Sequence, residues 1–137
     1  MPGEHRMTRR VAFSETVKAG IVHFSNFFRY VEDAEHALWR AAGLSISPQQ
    51  STHGWPRVSA SCDFKKPLRF EDEFEVVIRV AAKSEKSITY EAHIEKDGER
   101  IAEGRLVIAC VQRDADGRMK PVPIPAEVDD ALSVASS

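Results

Sequence analysis

The sequence predicts an α+β fold: one long amphipathic helix packed on one antiparallel sheet. A single domain is expected over 1–137, with its core over about 9–123. Three observations predict it. Phe24, Phe27, Phe28, Val31, Ala34, Leu38 and Ala41 recur at three- and four-residue spacing, the period of a helix with one apolar face. Four later runs alternate apolar with polar residues or stay apolar, the period of strands. Asp97-Gly98 between two of those runs is the strongest short hairpin signal a sequence carries. A helix face and a sheet face of this kind bury each other in two layers.

Residues 1–8 read as a loose tail. Arg9 to Ser14 alternates, with Val11 and Phe13 against Arg10 and Ala12, and reads as a short strand. The helix then starts with Ser25 as its N-cap and stops at Gly43. Residues 44–56 hold Pro48, Gly54 and Pro56 and read as a loop. Val58, Ala60, Cys62 and Phe64 mark the next strand. Phe74, Val76, Ile78 and Val80 mark the third, and Ile88, Tyr90, Ala92 and Ile94 the fourth. Ala102 to Val111 is apolar at most positions and reads as a central strand covered on both faces. Asp116-Gly117 turns the chain so that Met119 to Val122 returns as an edge extension, where Pro121 and Pro123 are tolerated. Pro125 to Leu132 has room for one or two helical turns.

Composition excludes several function classes. Lys and Arg number 19 and Asp and Glu 21, so bulk charge supports neither nucleic-acid nor membrane-surface binding. No apolar run reaches the roughly 18 residues of a membrane span. The segment Met1 to Arg6 lacks the apolar core of a signal peptide, so a cytoplasmic location is expected. Cys62 and Cys110 sit alone in strand-like runs and read as small packed residues, without metal-ligand spacing. Asp33-x-x-His36 has the spacing of half a carboxylate-bridged metal site, but a bundle site needs further helices. No metal or redox cofactor is expected. No G-x-S-x-G elbow is present to make Ser25 a nucleophile.

The stretch Phe13-Ser14-Glu15-Thr16-Val17-Lys18-Ala19-Gly20-Ile21-Val22-His23-Phe24-Ser25-Asn26 is the most informative. It places a glycine turn and a histidine just before a helix start, whose free N–H groups form an anion site. With the helix segment Phe27 to His36 and the run Arg57 to Phe64, it resembles the hotdog-fold acyl-CoA thioesterases of the 4-hydroxybenzoyl-CoA thioesterase-like family. The resemblance implies a sheet wrapped around a single helix. It also implies pairing as a homodimer or homotetramer, and an acyl-CoA substrate hydrolysed to free acid and coenzyme A. The family's catalytic aspartate maps to Val17, which can neither take a proton nor attack a carbonyl. The resemblance further implies that the Phe24 backbone N–H polarises the thioester carbonyl, with Gly20 allowing close approach and Asn26 and Trp55 lining the site. A basic hairpin would hold the coenzyme's phosphates, matched by Lys83 and Lys86.

Since Val17 carries no base, others are candidates. His23 titrates near neutral pH and adjoins the expected oxyanion donor; its ordinary alternative is a turn-stabilising histidine. Glu15 lies two residues before Val17, on the same side of an extended segment; otherwise it is a solvated strand-end acid. Glu32 lies nine residues after His23, close to the interval between a His-Gly pair and a helix glutamate in another branch of hotdog thioesterases; Glu35 is a further candidate, and both are otherwise the charged border of the helix. Asp63 is an alternating polar position. Lys65, Lys66 and Arg69 form a second basic cluster. A second function class stays open: a non-catalytic acyl-thioester-binding protein that kept the pocket and lost the base. A third is a hotdog enzyme of other chemistry, such as a hydratase.

Overall fold

The computed structural model describes residues 3–136. Five strands form the main antiparallel sheet: β1 (Glu4–Arg10), β3 (Arg57–Phe64), β4 (Glu73–Lys83), β5 (Ser87–Lys96) and β6 (Glu99–Ala109), in the order β1-β4-β5-β6-β3. The helix α1 (Ser25–Ala41) crosses one face. This is the hotdog arrangement that the motif implies. A second sheet of three short strands joins β2 (His53–Gly54), β7 (Val111–Arg113) and β8 (Met119–Pro121) in the order β2-β7-β8. The last helix is α2 (Ala126–Ala131), within the expected Pro125 to Leu132.

The core lies between α1 and the inward side chains of β4, β5 and β6. Phe27, Tyr30, Val31, Ala34, Leu38 and Trp39 of the helix meet Phe74, Val76, Ile78, Ile88, Tyr90 and Ile94 of the sheet, all buried. The β5–β6 turn is the expected one. Asp97 (φ 52°) and Gly98 (φ 79°) both adopt the left-handed conformation of a two-residue hairpin loop. After Ala41, the Leu44 N–H returns to the Trp39 carbonyl (2.9 Å) across Gly43, whose φ of 81° ends the helix.

Four expectations are corrected. The supposed tail 1–8 contains β1 for most of its length; residues 1 and 2 lie outside the described residues. β1 pairs with β4 from Glu4↔Arg79 to Arg10↔Glu73 as a charged edge strand. It therefore stops at Arg10, and Phe13–Glu15 is a 3-10 turn rather than the end of a strand over Arg9 to Ser14. The N-cap is Phe24 and Ser25 is the first helical residue, because the His23 ring takes the Ser25 N–H. β6 is covered on one face only, since Arg105 points to the exposed outer side. β3 is the opposite edge, and its apolar side chains stay open: Val58 is 59% and Phe64 47% exposed.

Candidate active site

The stretch before α1 folds back on itself. The Val17 N–H donates to the Ile21 carbonyl (2.9 Å) and the Gly20 N–H to the Val17 carbonyl (2.8 Å). Gly20 sits at φ 84°, which a residue with a Cβ adopts only at a cost. Thr16 bridges Val22 and Ile21 bridges Arg69, so the small hairpin is sewn to the segment before β4. The Val22 N–H donates to the Leu68 carbonyl (2.8 Å) and the His23 N–H to the Glu15 carbonyl (2.9 Å). The chain then enters α1.

Three N–H groups of that entry are used. The Ser25 N–H reaches Nδ1 of His23 (3.2 Å), the Asn26 N–H the His23 carbonyl (2.9 Å), and the Phe27 N–H the Phe24 carbonyl (3.1 Å). The Phe24 N–H makes no hydrogen bond among the described residues. It lies at the positive end of a 17-residue helix. This is the amide expected to receive the thioester oxygen, and it has no protein acceptor among the described residues.

A cleft of about 460 Å³ opens here, lined by Val17, His23, Phe24, Phe27, Phe64 and Lys65 among others. Phe64 stands 5.2 Å from Phe27 and 6.1 Å from Phe24, ring centre to ring centre, so three aromatic faces form the wall. The position where the family carries its aspartate faces this cleft as Val17, and no carboxylate lines it among the described residues. Among the described residues, His23 supplies the imidazole in the lining of this cleft. Its Nδ1 also lies 2.7 Å from the Ser25 hydroxyl oxygen.

Glu15 is not placed to act as a base. Its carboxylate accepts from Arg9 Nη2 (2.6 Å), from the Tyr30 hydroxyl (2.8 Å) and from the Ala12 N–H (2.8 Å). Arg9 in turn lies 4.7 Å over the Tyr30 ring and pairs with Asp33. Burial, then the hydrogen bond to Glu15, pushes the Tyr30 hydroxyl up from its ordinary value. With its lone pairs committed, Glu15 fixes the 3-10 turn to the helix. Asn26 does the same from the other side, its Nδ2 donating to the Glu15 carbonyl (3.0 Å).

The other expected residues are spread out. Glu32 faces a smaller apolar pocket of about 150 Å³ between α1 and β3, with Phe28, Val31, Ala60 and Cys62, and accepts from Arg57 Nη2 (3.0 Å). Within one chain it does not line the His23 cleft. Trp55 packs edge-on against Trp39 (5.0 Å), near the far end of the helix, and plugs the core there rather than lining the cleft. Lys83 is tied to Asp129 through Nζ (2.8 Å), and it lies with Lys86 at the far end of β4. Roughly 33 Å of strand separates that end from Glu73 at the other, and neither lysine lines the cleft. Lys65 and Lys66 line the cleft instead, and Lys66 pairs with Glu99. Asp63 lies on the outer face of the sheet beside Arg105 and Glu103.

The burial of one group escaped the sequence reading. Glu35, read as a candidate base or a helix border, is instead completely buried and carries a bidentate Arg57, whose Nη1 donates at 3.3 Å and Nη2 more closely. The Tyr90 hydroxyl turns to Glu35 and accepts from Trp39 Nε1 (2.8 Å). Burial raises the Glu35 carboxyl above its ordinary value, against the pull of Arg57. The signal was available: Glu35 follows Val31 by four and precedes Leu38 by three, on the apolar stripe.

The family profile described as the thioesterase-like superfamily matches residues 11–132. A 1,4-dihydroxy-2-naphthoyl-CoA hydrolase of Thermosynechococcus vestitus is 30% identical over 133 residues, covering 93% of this chain and 90% of that protein. The crystal structure of a hypothetical protein from Aquifex aeolicus superimposes with a TM-score of 0.87 at 32% identity, covering 94% of this chain and 99% of the other. A gentisyl-coenzyme A thioesterase superimposes with a TM-score of 0.82 at 30% identity, over 90% and 98% of the two chains. The chain belongs to the thioesterase-like superfamily, and its reaction is the hydrolysis of an acyl thioester.

Proposed function

We propose that the substrate is an aromatic acyl-CoA, with its thioester carbonyl on the Phe24 N–H and His23 carrying the proton. The observation behind this reading is one cleft that joins the unpartnered Phe24 amide, the His23 ring and three phenylalanine rings, with valine where the family has its acid. Aromatic walls favour a flat acyl group through offset and edge contacts. Similar proteins act on dihydroxynaphthoyl-CoA and gentisyl-CoA, both aromatic thioesters.

The chemistry balances with His23 alone. Nε2 takes a proton from water as its oxygen bonds to the thioester carbon. The carbonyl electron pair moves to oxygen, and the oxyanion rests on the Phe24 N–H. Collapse breaks the C–S bond, and the thiolate leaves with the proton held by His23. The products are the free acid and coenzyme A. A donor of this type is worth about 10²–10³ in rate.

Lys65 and Arg69 make no side-chain ion pair among the described residues and stand beside the cleft, so they are the cations nearest an incoming phosphate. A homodimer is the proposed assembly. β3 is an unpaired edge that carries the exposed Val58 and Phe64, the combination that a second copy covers. Such pairing is also how Glu32 and Lys86 could approach a cleft they do not reach within one chain.

Thiol release from benzoyl-, hydroxybenzoyl-, acetyl- and palmitoyl-CoA tests the reading. The aromatic thioesters should show the highest kcat/KM. His23→Ala should lower it by about 10²–10⁴. A preference for palmitoyl-CoA overturns the substrate class, and a loss below tenfold removes His23 from the proton-transfer role.

A further inference from the structure

Ser25 offers His23 two groups at once. Its backbone N–H points at Nδ1 from 3.2 Å, and its hydroxyl oxygen lies 2.7 Å from the same atom. The two differ in one respect. An amide can only donate, whereas a hydroxyl donates or accepts. With the ring proton on Nε2, both groups donate into the Nδ1 lone pair and the imidazole caps the helix. In that tautomer Nε2 shows the cleft an N–H and cannot take a proton from water. With the ring proton on Nδ1, the hydroxyl rotates and accepts it over the same 2.7 Å, and Nε2 presents a lone pair. The amide contact is then given up, and it is the longer of the two.

We propose that Ser25 is a positioning residue for catalysis: its hydroxyl accepts the Nδ1 proton of His23 and so presents Nε2 as the base. The inference rests on the proposed role of His23. It fits the place of the ring, which packs at 4.6 Å on Phe24, the residue that offers the free amide. Ser25 itself does not line the cleft and touches no reacting atom. In many enzymes a carboxylate orients the catalytic imidazole; here the neighbour of Nδ1 is a hydroxyl, and the nearest acid on the turn, Glu15, is bound by three other donors. Only the side-chain oxygen separates the two states of the ring. Removing it leaves the backbone N–H in place and traps the proton on Nε2.

The test uses the full chain and an aromatic acyl-CoA, with Ser25→Ala, Ser25→Thr, His23→Ala and the double variant of Ser25→Ala with His23→Ala. Alanine suits a first helical position, so the helix remains. Ser25→Ala should lower kcat by about 10–100-fold and leave KM within about twofold, the signature of an interaction made in the transition state only. Ser25→Thr, which keeps the hydroxyl, should recover most of the rate. The double variant should be no slower than His23→Ala, because two residues acting through one step do not add. Ser25→Ala with kcat within about threefold of native, a Thr variant as slow as the Ala variant, or fully additive losses each overturn the proposal. Nitrogen-15 NMR of the His23 ring decides it without turnover. The Nδ1–H tautomer should be populated in the native protein and depleted in Ser25→Ala; equal populations in both overturn it. Absence of turnover by the native protein would count against the proposed function and leave the tautomer measurement to judge Ser25.

Discussion

Replacing Arg57 by methionine strips the buried Glu35 carboxylate of its counter-ion. Glu35 is fully buried, and Arg57 supplies two of its hydrogen bonds and the opposing charge. Breaking a buried pair from one side costs about 3–5 kcal/mol, because an uncompensated charge stays behind. In a domain of this size that lowers Tm by roughly 10–20 °C. The double replacement Glu35→Met with Arg57→Met should cost far less, about 1–2 kcal/mol, since a buried pair exchanged for apolar side chains is often nearly neutral. What remains unpaired then is the Trp55 carbonyl, which accepts from Arg57 Nη1 (3.2 Å), and one side of the Tyr90 hydroxyl. The cost must also depend on pH. Burial raises the folded-state pKa of Glu35 above its ordinary value of 4.5, so the native state binds the proton more tightly than the unfolded chain. Stability linked to Glu35 is therefore present below the ordinary value and is lost as pH rises through the raised one. Without Arg57 the shift grows, so Arg57→Met should be more damaging at pH 8 than at pH 5. Urea unfolding of the native protein, Arg57→Met, Glu35→Met and the double variant at both pH values measures all of this. An Arg57→Met cost below about 1 kcal/mol, or a double variant as costly as the sum of the singles, would show that Arg57 does not compensate a buried Glu35 charge.

Further outcomes follow from the same geometry. Glu15→Ala removes the acceptor shared by Arg9, Tyr30 and the Ala12 N–H, and should cost about 2–3 kcal/mol in chemical unfolding; a loss under 0.5 kcal/mol would show that the turn holds itself. The same variant should lower kcat, since the His23 N–H hangs on the Glu15 carbonyl (2.9 Å) and the turn carries it. Burial, with Asp63 beside it, pushes the Cys62 thiol up to about 11, so its alkylation at pH 8 should lag a free cysteine by at least about tenfold and climb toward pH 11. Rapid alkylation at pH 8 would place Cys62 in a more open setting than the α1–β3 pocket.

The helix, β4, β5 and the Asp97-Gly98 turn were legible because each carries a period or a turn residue that few alternatives share. β1 was not. Its inward positions are His5, Met7 and Arg9, and Arg9 buries its stem to reach Glu15, Asp33 and Tyr30 rather than an apolar neighbour. Hydropathy reads such a strand as a tail. β3 misled in the opposite sense: its apolar alternation is real, but the strand is an edge and Val58 and Phe64 remain open in one chain. At the site, the glycine turn, His23 and the Phe24 amide were visible as a contiguous motif. Lys65 was visible only as part of a basic cluster, and Phe64 as a cleft wall was not, because it reaches the cleft from forty residues away through sheet pairing. Trp55 shows the limit of composition: an aromatic in a loop reads the same whether it lines a cleft or, as here, plugs the core against Trp39.

A cleft with valine at the aspartate position should still hydrolyse a thioester, because the Phe24 amide and His23 remain. The most direct measurement compares thiol release from an aromatic acyl-CoA by the native protein and by Val17→Asp. The native protein should show measurable turnover, lost in His23→Ala, with Val17→Asp adding a second base to a cleft that already works. No release by the native protein, with release restored by Val17→Asp, would contradict it and identify a thioester-binding protein whose pocket outlived its catalyst.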